Sequence, residues 1–322
     1  MAIDTSVPRH SASRPASRAG GASSMAPRHG GRRRRPGLRA YRNRKSPLLT
    51  AAMVLMLLYS LLPLFWLFVN ATKTQPDLFS SFGLWFTSPF ALWDNVVAVF
   101  TYRDGVYGQW MLNTLMYVVA GAGGSTLIAT LAGYGLAKFN FPGKKVVFAL
   151  VLGAIAIPGA ALTVPTFLMF SQLGLVNTPF AVILPSLISP FGMFLVWTYA
   201  QDSVPNELLE AARMDGAGEF RTFFTISSRL LAPGIVSVLL LEVVGMWNNY
   251  FLPLIMLSDP KYYPLTVGLN QWNDRANSPD SGETIFNLVI TGSLIMIIPI
   301  IVAFLLLQRY WQAGLASGAV KQ

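Results

Sequence analysis

An all-α protein that crosses a membrane six times is the fold class this sequence predicts, and three observations predict it. Hydrophobic residues make up 53% of the 322-residue chain and charged residues only 12%, with mean hydropathy +0.49. That is too apolar for a soluble globule. The charges are clustered, and the uncharged runs between them are long enough to cross a bilayer. Basic residues, finally, fall almost entirely on one side of the alternating loops.

Taken in order, residues 1–47 carry twelve of the twenty-four basic residues, including Arg32 to Arg35, among Ser, Ala, Gly and Pro. By composition this is a disordered cytoplasmic tail. A basic tail directly before a span is an orientation signal and a partner for anionic lipid headgroups, not a nucleic-acid arm. The apolar run after it is about twice a secretory signal core. Residues 48–70 form the first span, with Trp66 near its outer end. Residues 71–109 are an aromatic-rich connector (Phe79, Phe82, Trp85, Phe86, Trp93), expected to be too polar to sit in lipid. Residues 111–137 are the second span. Gly121, Ser125, Ala129, Gly133 and Ala137 recur there every fourth residue, a stripe against which a neighbouring helix packs closely.

A basic turn, 138–145, leads to the third span, 146–170, interrupted by Pro158-Gly159 and Pro165. The fourth, 180–200, contains Pro185 and Pro190. Prolines there kink the helix and free carbonyls that protein or a wet cavity must cover. A loop at 201–229 precedes the fifth span, 230–257. A polar connector, 258–283, leads to the sixth, 284–307. The six-span domain thus covers 48–310, and 311–322 is a short cytoplasmic tail. With the arginine tail inside, only Lys73, Arg103, Lys261 and Arg275 lie outside, and twenty of twenty-four basic residues are cytoplasmic. Both termini and the 201–229 loop are then on the ATP side.

That loop is a polar island. Pro205 suits a first helical turn, and Gly216 and Gly218 suit the end of a short helix and the turn after it. Glu207 and Glu210 share a face one turn apart, with Ala211 and Ala212 keeping the surface beside them low. Glu219 to Ser228 reads as a second short helix. Glu210-Ala211-Ala212, three residues, Gly216, nine residues and Ile226 resemble the cytoplasmic EAA loop of ATP-binding-cassette importer permeases. Ser228 and Arg229 stand where the family usually has Leu-Pro. The resemblance implies a type I importer permease whose loop supplies coupling helices to an ATPase cleft. Glu207, Glu210, Ala211, Ala212, Asp215 and Gly216 are the residues it places there.

Asn113-Thr114, Tyr134 to Phe139, Phe141 to Lys144, Ile157-Pro158-Gly159, Leu173 to Thr178 and Trp247-Asn248-Asn249-Tyr250 are similar to the carbohydrate-uptake branch. Within it the chain looks like the shorter, six-span subunit of maltose-type systems. Asn249 replaces the Asp common there. The resemblance implies a second permease subunit, an ATPase dimer and an extracytoplasmic solute-binding protein as partners, a sugar as cargo, and residence in a bacterial or archaeal cell (inner) membrane. Trp272, in an outer connector, is a candidate contact for the binding protein; the plain alternative is a solvated loop.

The chemistry available narrows function further. Cysteine is absent, and the only histidines, His10 and His29, lie in the tail, so the body has no zinc site and no His-based triad. Gly143-Lys144-Lys145 lacks the preceding glycine and the hydroxyl of a phosphate-binding loop. The chain therefore binds no cofactor itself, and ATP and Mg belong to the partner ATPase; no enzyme activity is expected. Glu242 is the only ionisable residue inside a span, either a pathway residue bonding sugar hydroxyls or a partner of a neighbouring span. Trp247, Asn248, Asn249 and Tyr250 pair flat rings with amides, as sugars need; an interfacial aromatic belt reads the same way. An ion-coupled secondary transporter and a permease for a non-sugar solute are the alternatives. One intramembrane acid is thin support for the former.

Overall fold

The computed structural model describes residues 46–279 and 282–319, with side chains through 308. The arginine-rich tail, and the role assigned to it, lie outside the described residues. Residues 46–53 are the described part of a first unit and form an exposed opening turn in which Thr50 Oγ1 donates to Ser46 O at 3.1 Å.

They begin α1 (Pro47–Ala71), 25 residues without a charge, about 37 Å long and thus able to cross a core of about 30 Å. It is exposed along nearly its whole length and becomes buried only at Val69, Asn70 and Ala71. Two short helices follow, α2 (Gln75–Ser80) and α3 (Leu92–Thr101). Between them the chain turns back along the end of α1: Asn70 Nδ2 donates to Gly83 O at 2.8 Å, and the Phe86 ring lies 6.2 Å from that of Phe68. Phe82, Trp85, Phe90 and Trp93 are exposed here. These are among the aromatic residues that mark the connector in the sequence. The connector's average polarity conceals an apolar turn concentrated beside the helix end.

Next come α4 (Val106–Tyr117), a π-helical turn at Val118–Ala122, and α5 (Gly123–Lys138), together one apolar rod of 33 residues. The small-residue stripe faces its neighbours. A Cβ on Gly133 would stand 2.6 Å from Met193 O, and one on Gly121 would stand 2.6 Å from Met246 Cε.

The third span is not one helix. α6 (Lys144–Ile155) and α7 (Gly159–Gln172) meet at 103°. At 12 and 14 residues each is only about 18–21 Å long, too short to cross alone. Pro158 causes the break, having no N–H to donate and an extended ψ of 126°. The fourth crossing is likewise α8 (Phe180–Ser186) and α9 (Pro190–Ser203), interrupted at 187–189.

α10 (Asn206–Met214) stands alone in the following loop. α11 (Glu219–Thr222), a π-helical turn at Phe223–Ser227, and α12 (Ser228–Trp247) then run on as one 29-residue helix. The separate second loop helix expected at 219–228 is therefore the first part of the fifth crossing. That crossing also stops ten residues early, at Trp247 rather than 257. Asn248 caps it, its Nδ2 donating to Val244 O at 2.9 Å. Such an amide competes with helix continuation.

The outer end is completed by α13 (Phe251–Met256) and α14 (Leu265–Asn277), and α15 (Phe286–Ala319) is the last crossing. Among the described residues, five helices are long and apolar enough to span, six if the bent pair counts as one crossing. α4 sutures the outer connector down. Trp110 Nε1 donates to Pro260 O, Asn113 Nδ2 to Lys261 O and Tyr263 O, and Tyr117 O–H to Tyr262 O, all within 3.0 Å.

Candidate functional site

Two regions bring functional chemistry together: the α10 loop at the inner end, and a pair of clefts where the broken helices meet.

Leu209 turns inward from α10 into a core of Tyr134, Ala200, Val204, Phe223 and Leu231, and Ala212 is buried on the same side of the helix. Glu207, Glu210, Ala211 and Asp215 face out. Ala212 thus packs the helix to the body and is not part of the low outer surface expected of it; position 212 lies on the 3.6-residue period of Leu209, not of Glu207. Met214 (89% exposed) and Phe220 (81%) complete the outward surface, two apolar residues that the acids had overshadowed in the sequence.

The helix ends in a Schellman turn. Ala217 N donates to Ala212 O (2.9 Å) and Gly216 N to Arg213 O (3.0 Å), with Gly216 at φ +77°. Arg213 Nε donates to Glu219 Oε1 at 2.7 Å across that turn, joining α10 to the start of the fifth crossing. The ion pair holds the Arg213 guanidinium above its ordinary pKa. On the other side, Lys138 Nζ donates to Val204 O (2.6 Å) and Asn206 Oδ1 (3.2 Å), and Ser227 Oγ donates to Tyr134 O–H at 3.1 Å. A force on α10 therefore reaches α5 and α12 through bonds and packing.

Glu242 stands five residues before the end of α12. Its Oε1 accepts from Ser189 Oγ at 2.5 Å, and Ser189 Oγ accepts from Gly192 N (3.0 Å) as the cap of α9. The carboxyl thus sits at a helix N-terminus, where the backbone dipole favours an acid. It lines an open cleft of about 360 Å³ shared with Ile157, Ser186, Gly245 and Asn249. Both helix breaks, 156–158 and 187–189, border this space. Sequence reasoning missed Ser189; Ser189-Pro190 is the ordinary signature of a helix start, overlooked because it lies inside an apolar run.

The four residues Trp247 to Tyr250 are dispersed. Trp247 is buried in the outer core, so its face is not offered to a sugar; the break after it turns Asn248 outward, Asn249 to the Glu242 cleft and Tyr250 to a second cleft. Trp272 is 1% exposed. Its ring packs 5.1–5.9 Å from Tyr102, Tyr107 and Trp110, so it is a core residue and not a binding-protein contact. Placement on the inner face of amphipathic α14 decides this, which a lone tryptophan in a polar stretch does not disclose.

Among the described residues the fold is all-helical, with apolar helices long enough to cross a membrane and breaks within the third and fourth crossings, and its class is that of an integral membrane protein. Residues 125–316 match the binding-protein-dependent transport system inner membrane component, and the chain belongs to that family. It is therefore a transport component of the inner membrane and not an enzyme; membership implies in general a partner permease, an ATPase and a solute-binding protein. It is 35% identical over 228 residues (71% of this chain, 79% of the relative) to the arabinooligosaccharides transport system permease protein AraQ of Halalkalibacterium halodurans. It is 32% identical over 270 residues (84% and 93%) to the protein of the same name in Bacillus subtilis. A crystallised bacterial ABC transporter involved in the import of the acidic polysaccharide alginate shares the fold, with TM-score 0.73 and 20% identity over 82% of this chain and 95% of that one.

Proposed function

We propose that the chain is the six-span permease subunit of an oligosaccharide importer, receiving cargo from a solute-binding protein and driven by a separate ATPase that seats on α10. The carrying observation is mechanical. Outward-facing Glu207, Glu210, Ala211, Met214 and Asp215 stand on a helix tied by the Gly216 turn and the Arg213–Glu219 pair to a continuous 29-residue crossing. Closure of an ATPase dimer on that helix moves the crossing as a rigid body. ATP and Mg are held by the ATPase and not by this chain. The basic residues of the 138–145 turn and of the loop support a cytoplasmic α10 and cytoplasmic termini.

Sugar cargo is supported by the relatives named for arabinooligosaccharides and by the uncharged polar groups near the Glu242 cleft, with Glu242 and Asn249 as its bonding residues. The test is uptake of labelled arabinotriose by a deletion strain complemented with variants. Glu210→Lys leaves the protein in the membrane and abolishes uptake. Full uptake by that variant overturns the docking role.

A further inference from the structure

The break after Trp247 feeds two clefts, of which only the inner one contains Glu242. Asn249 lines that one and Tyr250 lines the other. Both are pinned from α14: Thr266 Oγ1 donates to Asn249 O at 2.7 Å, and Tyr250 O–H donates to Asn270 Oδ1 at 2.9 Å. We propose that the second cleft, between α14 and α15 beside Tyr250, is an outer station that binds a neutral, hydroxyl-rich sugar unit ahead of the Glu242 cleft. The proposal rests on the oligosaccharide-importer reading and assigns that cargo a further site.

The chemistry of the lining identifies the ligand. The cleft measures about 380 Å³, within the usual range for small-molecule sites. Leu269 and Met296 offer an apolar surface for the C–H face of a sugar ring, beside the flat Tyr250 ring. The amides supply the polar edge. With its donor committed to Asn270 Oδ1, the Tyr250 oxygen keeps lone pairs for a ligand hydroxyl. Asn273 accepts Asn277 Nδ2 on both its backbone oxygen (2.8 Å) and its Oδ1 (3.3 Å). Among the described residues, neither the Asn270 nor the Asn273 amide nitrogen has a hydrogen-bond acceptor, and both residues line the cleft. Ser293 donates to Val289 O (2.7 Å), which leaves its oxygen to accept. No charged side chain lines this space. A carboxylated or phosphorylated sugar finds no counter-charge in that lining, so the station favours neutral units.

The absence of cysteine from the chain makes the test direct. Asn273→Cys is introduced into the full chain and the assembled transporter is reconstituted in nanodiscs with its partner permease and ATPase. The rate of modification by a small water-soluble maleimide is then measured. Arabinotriose at about two to nine times its Kd is expected to slow labelling about three- to tenfold, because only the unoccupied fraction reacts, whereas galacturonate at equal concentration leaves the rate unchanged. Ser293→Cys provides the same reading should the first variant fail to assemble. Labelling blocked in the complex without sugar, as a covering partner subunit would produce, overturns the proposal; so does equal protection by galacturonate. If the wild type transports arabinotriose and neither variant is protected, the outer station is wrong and the importer reading stands. If the wild type transports no neutral oligosaccharide, both fall.

Discussion

Replacing Gly216 by alanine tests the hinge on which the coupling proposal turns. Gly216 takes φ +77° and a Cβ built there meets nothing within 4 Å, so the change introduces backbone strain and no collision. Left-handed backbone costs an L-residue roughly 1–2 kcal/mol, which corresponds to a factor of about 5–30 in the population of the closed turn. The Ala217 amide, bonded to Ala212 O, reports that population through hydrogen exchange. Its exchange is expected to accelerate about 5–30-fold in Gly216→Ala, while Gly216→Asn lies between, since Asn tolerates this region. Uptake should fall in the same order. Exchange at Ala217 as slow in the alanine variant as in the wild type refutes the turn; accelerated exchange with undiminished uptake refutes its part in coupling.

Gly133→Ala pushes a methyl into Met193 O and Val196 and should destabilise by about 1–3 kcal/mol, seen as a lower melting temperature in detergent, whereas Gly135→Ala, with nothing within 4 Å, leaves it unchanged or raises it slightly. Trp272→Ala empties a packed aromatic cluster and should cost about 3–5 kcal/mol, read as lost folded yield; normal yield with selectively weakened binding-protein affinity would restore it as a surface contact. Ser189→Ala removes both the Glu242 bond and the α9 cap and should cost about 1 kcal/mol or more by thermal melting. On the outer side, hydrogen bonds from Tyr102 and then from Arg103 hold the Glu283 carboxyl below its ordinary value of 4.5. A depressed acid contributes stability that is full above its unfolded pKa and lost as pH falls through the folded one. Glu283→Gln should therefore flatten the loss of stability below about pH 4.5, measured by melting across an acid series.

The apolar runs, the polar island at 201–229 and the small-residue stripe were legible in the amino-acid sequence because each is local: length, charge and a period of four residues determine them before any partner is known. Gly216 belongs with them, since a positive φ after a short helix selects glycine at that very position. Where the crossings break was only half legible. Pro158 marked one interruption, but a 103° bend and a stop at Trp247 depend on what caps the freed backbone. The sites divide in the same way. Glu242 stood out as a lone intramembrane acid. Its partner Ser189, the inward turn of Ala212, the burial of Trp247 and Trp272, and the meeting of Tyr250 with Asn270 were decided only by the tertiary structure. Hydropathy and spacing specify which residues lie in the membrane and how often they recur, whereas contacts between residues 20 to 170 positions apart follow from how helices are rotated and bent against one another, and that is settled by packing.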